Sequence, residues 1–165
     1  MKYLKWLLPL SVAAFPYICL AGLYIARVQF LIPGHPFVPI GLIWLAGLAA
    51  SLAVLLTRTH WTAPELARAN MLIKLAHIPA YVFWFAAGIL FLLFMGAPLA
   101  FFMDVLAISL SGLIGLAAVL RCRKEERLAG KAAVLHGVLQ FVFCADVFSA
   151  IWVCNKIRKE KERLL

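Results

Sequence analysis

The stretch Asn70-Met71-Leu72-Ile73-Lys74-Leu75-Ala76-His77-Ile78-Pro79-Ala80-Tyr81-Val82-Phe83-Trp84-Phe85-Ala86-Ala87-Gly88 decides the fold class. The apolar run that holds it, Met71–Phe94, exceeds the roughly 20 residues a helix needs to cross a ~30 Å hydrocarbon core. On an ideal helix at ~100° per residue, Asn70, Lys74, His77, Tyr81, Trp84 and Gly88 fall within roughly 80° of one another, with Pro79 opposite. Polar groups inside a span are costly in lipid, so this stripe is expected to face protein or water. A polar packing seam, with Lys74 reaching for the headgroups, is the plain reading; a ligand or ion route is the sharper one.

Four further apolar runs lie around it: Trp6–Ala26, Val38–Thr57, Pro98–Leu120 and Ala133–Cys154. Together they predict an all-α polytopic bundle of about five spans, forming one integral membrane domain over residues 1–165. Composition agrees, with 65% hydrophobic and 14% charged residues and a mean hydropathy of +0.99. Those values exclude disorder and an ordinary soluble domain. Lys2 and Lys5 before Leu7–Phe15 resemble a signal peptide, but apolar character continues to Tyr24 with no clear small-x-small site, so the first span is read as retained.

The connections carry the charge. Ile32-Pro33-Gly34-His35-Pro36 and Gly96-Ala97-Pro98 read as turns. Thr62-Ala63-Pro64-Glu65 reads as a helix start, and residues 58–70 as a short amphipathic helix on the membrane surface. The net charge of +9 gathers between apolar runs, which suits anionic headgroups and speaks against nucleic acid. The amino terminus and the second and fourth connections share nine Lys and Arg, against Arg27 alone on the other side. A cytoplasmic amino terminus follows. Five spans then put the five basic residues of the tail outside, a conflict that disappears only if Ala133–Cys154 does not fully cross. Its length and apolarity favour crossing.

The polar interior is expected to comprise Asn70, Lys74, His77, Tyr81, Asp104, Ser111, His136, Gln140 and Asp146. Asp104, Ile108, Ser111 and Gly115 form a stripe on the fourth span, where Ser111 and Gly115 permit close helix contact. Gly47 and Ser51 do the same on the second. On the fifth, His136, Gln140 and Cys144 share a face, with Asp146 and Ser149 to one side. At ~1.5 Å per residue, Lys74, His77 and His136 lie within about 10 Å of one membrane face, and Asp104 and Asp146 about 20–24 Å from it. That pictures a basic layer beneath two carboxylates; the plainer reading is two separate aspartates, each hydrogen-bonded to neighbouring side chains. The depth gap favours Tyr81, Ser111 or a water over Lys74 as the partner of Asp146.

No HExxH, GxSxG or phosphate-binding glycine loop is present, the four histidines lack metal-ligand spacing, and no CxxC occurs. No catalytic residue, metal or cofactor is expected. Residues Asn70–Tyr81 continuing to Gly88, and Ser109-Leu110-Ser111-Gly112-Leu113-Ile114-Gly115, resemble uncharacterised multi-pass membrane proteins of Gram-positive gut bacteria. The resemblance implies a domain of unknown function in a membrane and supplies no activity. The expected role is a binding or accessory component acting through helix packing, as a homo-oligomer or beside a larger membrane partner. The alternative is a small transporter or channel for a proton, cation or small solute.

Overall fold

The computed structural model describes residues 6–28, 37–56, 61–90 and 96–163. Six helices form there: α1 (Leu7–Val28), α2 (Phe37–Leu56), α3 (Ala63–Leu90), α4 (Gly96–Lys124), α5 (Gly130–Leu139) and α6 (Ala145–Arg163). No strand occurs among the described residues. Three of the helices, over Val38–Leu56, Ala63–Leu90 and Phe101–Lys124, are long and apolar enough to cross a membrane. Within α1 the apolar stretch Leu7–Gly22 is shorter. Five spans are therefore not what the helices support.

Helix α3 starts earlier than its apolar run. The Thr62 amide donates to Glu65 Oε2 at 3.2 Å and the Glu65 amide to Thr62 Oγ1 at 3.4 Å, a reciprocal cap that satisfies two amides with no helical partner. Pro64 sits in the first turn, where a missing N–H is no loss. The cap makes residues 63–70 the first two turns of α3, not a separate surface helix. Gly96–Pro98 likewise open α4 instead of forming a hairpin loop. The Ile32–Pro36 turn, His35 and His60 lie outside the described residues.

Helices α3 and α4 form the central pair, with α1 packed on both and α2 on α4. Val12, Phe15, Ile73, Met103, Leu110 and Ile114 are the centre of the main core. Gly47 lets α2 approach until an added Cβ would stand 3.3 Å from Leu110. Polar bonds also cross between helices here: the Tyr17 hydroxyl donates to the Ala76 carbonyl at 2.5 Å, and Trp44 Nε1 donates to Ser109 Oγ at 3.1 Å. The outer surface is apolar; only 17% of the apolar window of α2 is buried. In water such a surface would aggregate.

Residues 133–154 do not form one helix. Helix α5 ends at Leu139, the chain turns through residues 140–144 with Cys144 at φ 64°, and α6 begins at Ala145. The two helices fold back on each other. His136 Nδ1 lies 2.9 Å from Ser149 Oγ, and the rings of His136 and Trp152 stack 4.2 Å apart. In a continuous helix residues 136 and 149 would stand about 20 Å apart. Room for the turn comes from α4. A Cβ on Gly112 would meet the Phe141 ring at 2.7 Å, and one on Gly115 would meet Gln140 Oε1 at 2.1 Å. Gly115 thus seats a side chain of the turn and does not serve a helix–helix seam.

Before the hairpin, α4 is closed by Glu126 at φ 58°, with the Arg127 amide donating to the Cys122 carbonyl at 2.9 Å and the Glu126 amide to that of Arg123 at 3.0 Å. This paired bonding ends a helix with one left-handed residue. At the same end Trp6 meets Trp61 edge-on at 5.2 Å, and Glu125 Oε1 accepts the Ala63 amide at 3.1 Å. A second core joins Ala67, Val119, Cys122, Ala133, Val153 and Ile157. The starts of α1, α3 and α5 and the ends of α4 and α6 therefore share one end of the bundle.

Gly115→Ala should lower the thermal midpoint of the detergent-solubilised protein by the equivalent of about 1–3 kcal/mol, because the new methyl displaces a hydrogen-bonded Gln140. Gly41→Ala, where an added Cβ meets nothing within 4 Å, should leave the midpoint unchanged or raise it slightly. Equal midpoints for Gly115→Ala and the parent would show that Gln140 does not occupy that seat.

Candidate functional site

The α3 stripe faces inward. Asn70, Lys74, His77, Tyr81 and Trp84 are all buried, while Pro79 on the opposite side is exposed. Lys74 lies eleven residues from the start of α3, about 16 Å along it. Helix α5 rises ten residues, about 15 Å, from the same end before the chain turns. The turn therefore stops at the height of Lys74 and sets Asp146, in the first turn of α6, against it.

The ammonium of Lys74 donates to Asp146 Oδ2 at 2.6 Å, to Ser111 Oγ at 2.9 Å and to the Gln140 main-chain carbonyl at 3.2 Å. Both partners of the ion pair are fully buried. An ammonium has three protons, and all three are used. Asp146 Oδ1 accepts the Val147 amide at 2.8 Å. Its charge also sits at the amino end of α6, where the helix dipole favours an anion. Direct pairing of Lys74 with Asp146 overturns the expectation from depth, which assumed an unbroken fifth helix.

A second layer of bonds holds the turn. Gln140 Oε1 accepts from Asn70 Nδ2 at 3.1 Å, and Gln140 Nε2 donates to Ser149 Oγ at 2.9 Å. Ser149 Oγ in turn bonds with His136 Nδ1 at 2.9 Å. His77 Nε2 bonds the Val12 carbonyl at 3.0 Å, which leaves Nδ1 to accept the Tyr81 hydroxyl at 3.4 Å. His77 and Tyr81 thus tie α3 to α1, and Tyr81 also packs on Phe143 at 5.3 Å.

Of the nine residues predicted for the polar interior, Asn70, Lys74, Ser111, His136, Gln140 and Asp146 are joined, through Ser149, in one network. His77 and Tyr81 pair beside it. Asp104 stands apart, half-buried, with Oδ1 lacking a hydrogen-bond partner. The two aspartates therefore do not form a carboxylate layer: Asp146 belongs to Lys74, and Asp104 is two turns of α4 from Ser111. Ser149 and the Gln140 carbonyl are central here. The face arithmetic of a straight helix set Ser149 aside, and a main-chain acceptor leaves no trace in side-chain spacing. Cys144, assigned to the inward face, is exposed at the bend.

Among the described residues no three of His, Cys, Asp and Glu come together as a metal site. The two open grooves described are apolar. One lies between α1 and α3, lined by Leu10, Leu72 and Ala76; the other lies beside the hairpin, lined by Tyr81, Phe85 and Phe148. Neither groove is lined by Lys74 or Asp146. The bonds of the network clasp the hairpin to α3.

A family model of unknown function, DUF6652, matches residues 28–159, well over half of the chain. The chain belongs to the DUF6652 family. The match is wider than the resemblance found over the third and fourth spans, and it takes in the whole clasp and the hairpin. No curated protein matches, and no solved structure does. The family description carries no activity.

Lys74→Met should destabilise the protein by about 3–5 kcal/mol, since it leaves the buried Asp146 carboxylate without a counter-charge. Asp146→Asn should be similarly costly, because it strands Lys74. The double variant Lys74→Met/Asp146→Leu should recover most of the loss. Thermal unfolding of the three proteins in one detergent checks this; additive losses in the double variant would mean the pair is not coupled.

Proposed function

We propose that this protein is an integral membrane protein of a bacterial cell membrane that acts as a binding or accessory component through helix packing, its polar interior serving architecture and not passage. The observation that carries this reading is the saturation of Lys74. Its three donors are taken by Asp146, Ser111 and the Gln140 carbonyl, so none is left for water or a solute. A transport route through Lys74 would need a free donor on its ammonium.

The proposed topology has four crossings, α1 to α4, followed by a hairpin that enters the membrane and returns. The fold-back of α6 supports it, and so does the charge. With the hairpin returning, the five basic residues of the tail fall on the same side of the membrane in this topology as the nine beside the other span ends, fourteen of the sixteen Lys and Arg. That side is cytoplasmic by the distribution of basic residues. The conflict between five spans and a basic tail then disappears.

Single cysteines placed at Gly34, Lys131 and Arg163 in a cysteine-free background, labelled in intact cells with an impermeant maleimide, test the topology. Gly34 should label from outside, and Lys131 and Arg163 only after permeabilisation; outside labelling at Arg163 would restore a fifth crossing. Reconstituted alone into liposomes, the protein should leave proton and monovalent-cation gradients intact, and in mild detergent it should purify in a complex larger than one chain. Gradient collapse that is abolished by Asp146→Asn, in a variant that still folds, would replace this reading with transport.

A further inference from the structure

The basic residues at the hairpin end stand at one height. Along α4, Arg123 is twelve residues from Ser111, about 18 Å; along α5, Lys131 is nine residues from Gln140, about 14 Å; along α6, Lys156 is ten residues from Asp146, about 15 Å. Half of a ~30 Å hydrocarbon core is about 15 Å. With the clasp at the mid-plane, these bases therefore fall at the level of lipid phosphates. Tryptophan marks the same level. Trp152 is 44% exposed, about one turn before Lys156, whose Nζ lies 5.1 Å over its ring. An amphipathic indole beneath a cation is the arrangement found where hydrocarbon meets headgroups.

The bases are also held as a group. The Val119–Cys122–Ala133–Val153–Ile157 core fixes the ends of α4 and α6 and the start of α5 around one apolar plug. Arg123, Lys124, Lys131 and Lys159 flank it with exposed side chains. Arg127 is partly neutralised by Glu125 at 3.0 Å. Over residues 121–131 and 156–163 the sequence carries ten Lys and Arg against four Glu, a balance of +6 out of the chain's +9.

We propose that the ends of α4 and α6 and the start of α5 form a binding surface for anionic phospholipid headgroups, with Arg123, Lys124, Lys131 and Lys159 as its exposed cations. The surface rests on the membrane reading above. It ties the returning hairpin to one leaflet from the headgroup side, as the Lys74–Asp146 pair ties it from within.

The test uses the full chain purified in a zwitterionic detergent and follows its thermal midpoint during titration with phosphatidylglycerol, phosphatidylcholine or inorganic phosphate at fixed ionic strength. Phosphatidylglycerol should raise the midpoint, and phosphatidylcholine and phosphate should not. Lys131→Gln/Lys159→Gln should need about twentyfold more phosphatidylglycerol for the same rise, taking roughly fivefold for each exposed base. Lys124→Gln, on the third element, serves as a single-site check should the double variant fold poorly, and should need about fivefold more. Equal responses to the two lipids, a response to phosphate alone, or a parental response in both variants would overturn the proposal. Carbonate extraction of membranes tests the underlying reading separately: release of the chain would refute membrane integration, whereas retention with equal lipid responses would refute only the headgroup surface.

Discussion

A lysine and an aspartate at zero exposure inside an apolar bundle are the constraint on which the rest of this structure turns. Either charge alone would be intolerable at that depth, and their mutual attraction is adequate only when the remaining lone pairs and protons are also satisfied. The protein meets that condition with parts from three places: Ser111 from α4, the Gln140 carbonyl from the turn, and the Val147 amide from α6. No two adjacent helices could supply all three. The pair therefore specifies the relative height and rotation of α3, α4 and the hairpin together. Because partly satisfied polar groups in a low-dielectric interior are more costly than none, displacement of any one element penalises the others.

The non-helical turn at residues 140–144 is a consequence of the same requirement. Main-chain groups outside a helix are tolerated at membrane depth only where protein satisfies them. Here the Phe141 and Val142 amides tighten onto the carbonyls of Val138 and Leu139 at 3.1 and 3.3 Å, and the Gln140 carbonyl is taken by Lys74. Gly112 and Gly115 supply space and no bonds. Small residues on α4 and a long cation on α3 are complementary in this sense: one admits the turn and the other holds it. The hairpin in turn decides where the basic tail lies, so a buried ion pair and the distribution of surface charge are one problem.

Much of this was legible in the order of residues. Apolar runs long enough to cross a bilayer, the inward stripe from Asn70 to Trp84 and the reciprocal cap at Thr62 and Glu65 all follow from local rules. Helical hydrogen bonds are made within four residues, and a face is set by a fixed rotation per residue. The family match over residues 28–159 covers the hairpin as far as Lys159 together with α3 and α4, on which it packs.

What the sequence by itself determined is therefore an all-α chain rich in membrane-length helices, with its polar groups turned inward on α3. Where the fifth apolar run breaks was decided only by tertiary structure. Residues 138–146 contain no glycine or proline, so nothing local stops the helix. The break arises because Gln140, Ser149 and Asp146 find partners on α3 and α5 that a straight helix would carry out of reach. Face and depth arithmetic extended along an unbroken helix accordingly misplaced Asp146 and Cys144. A hydrogen bond between residues 72 positions apart, such as Lys74 to Asp146, has no spacing rule, and only the folded chain brings its two ends together.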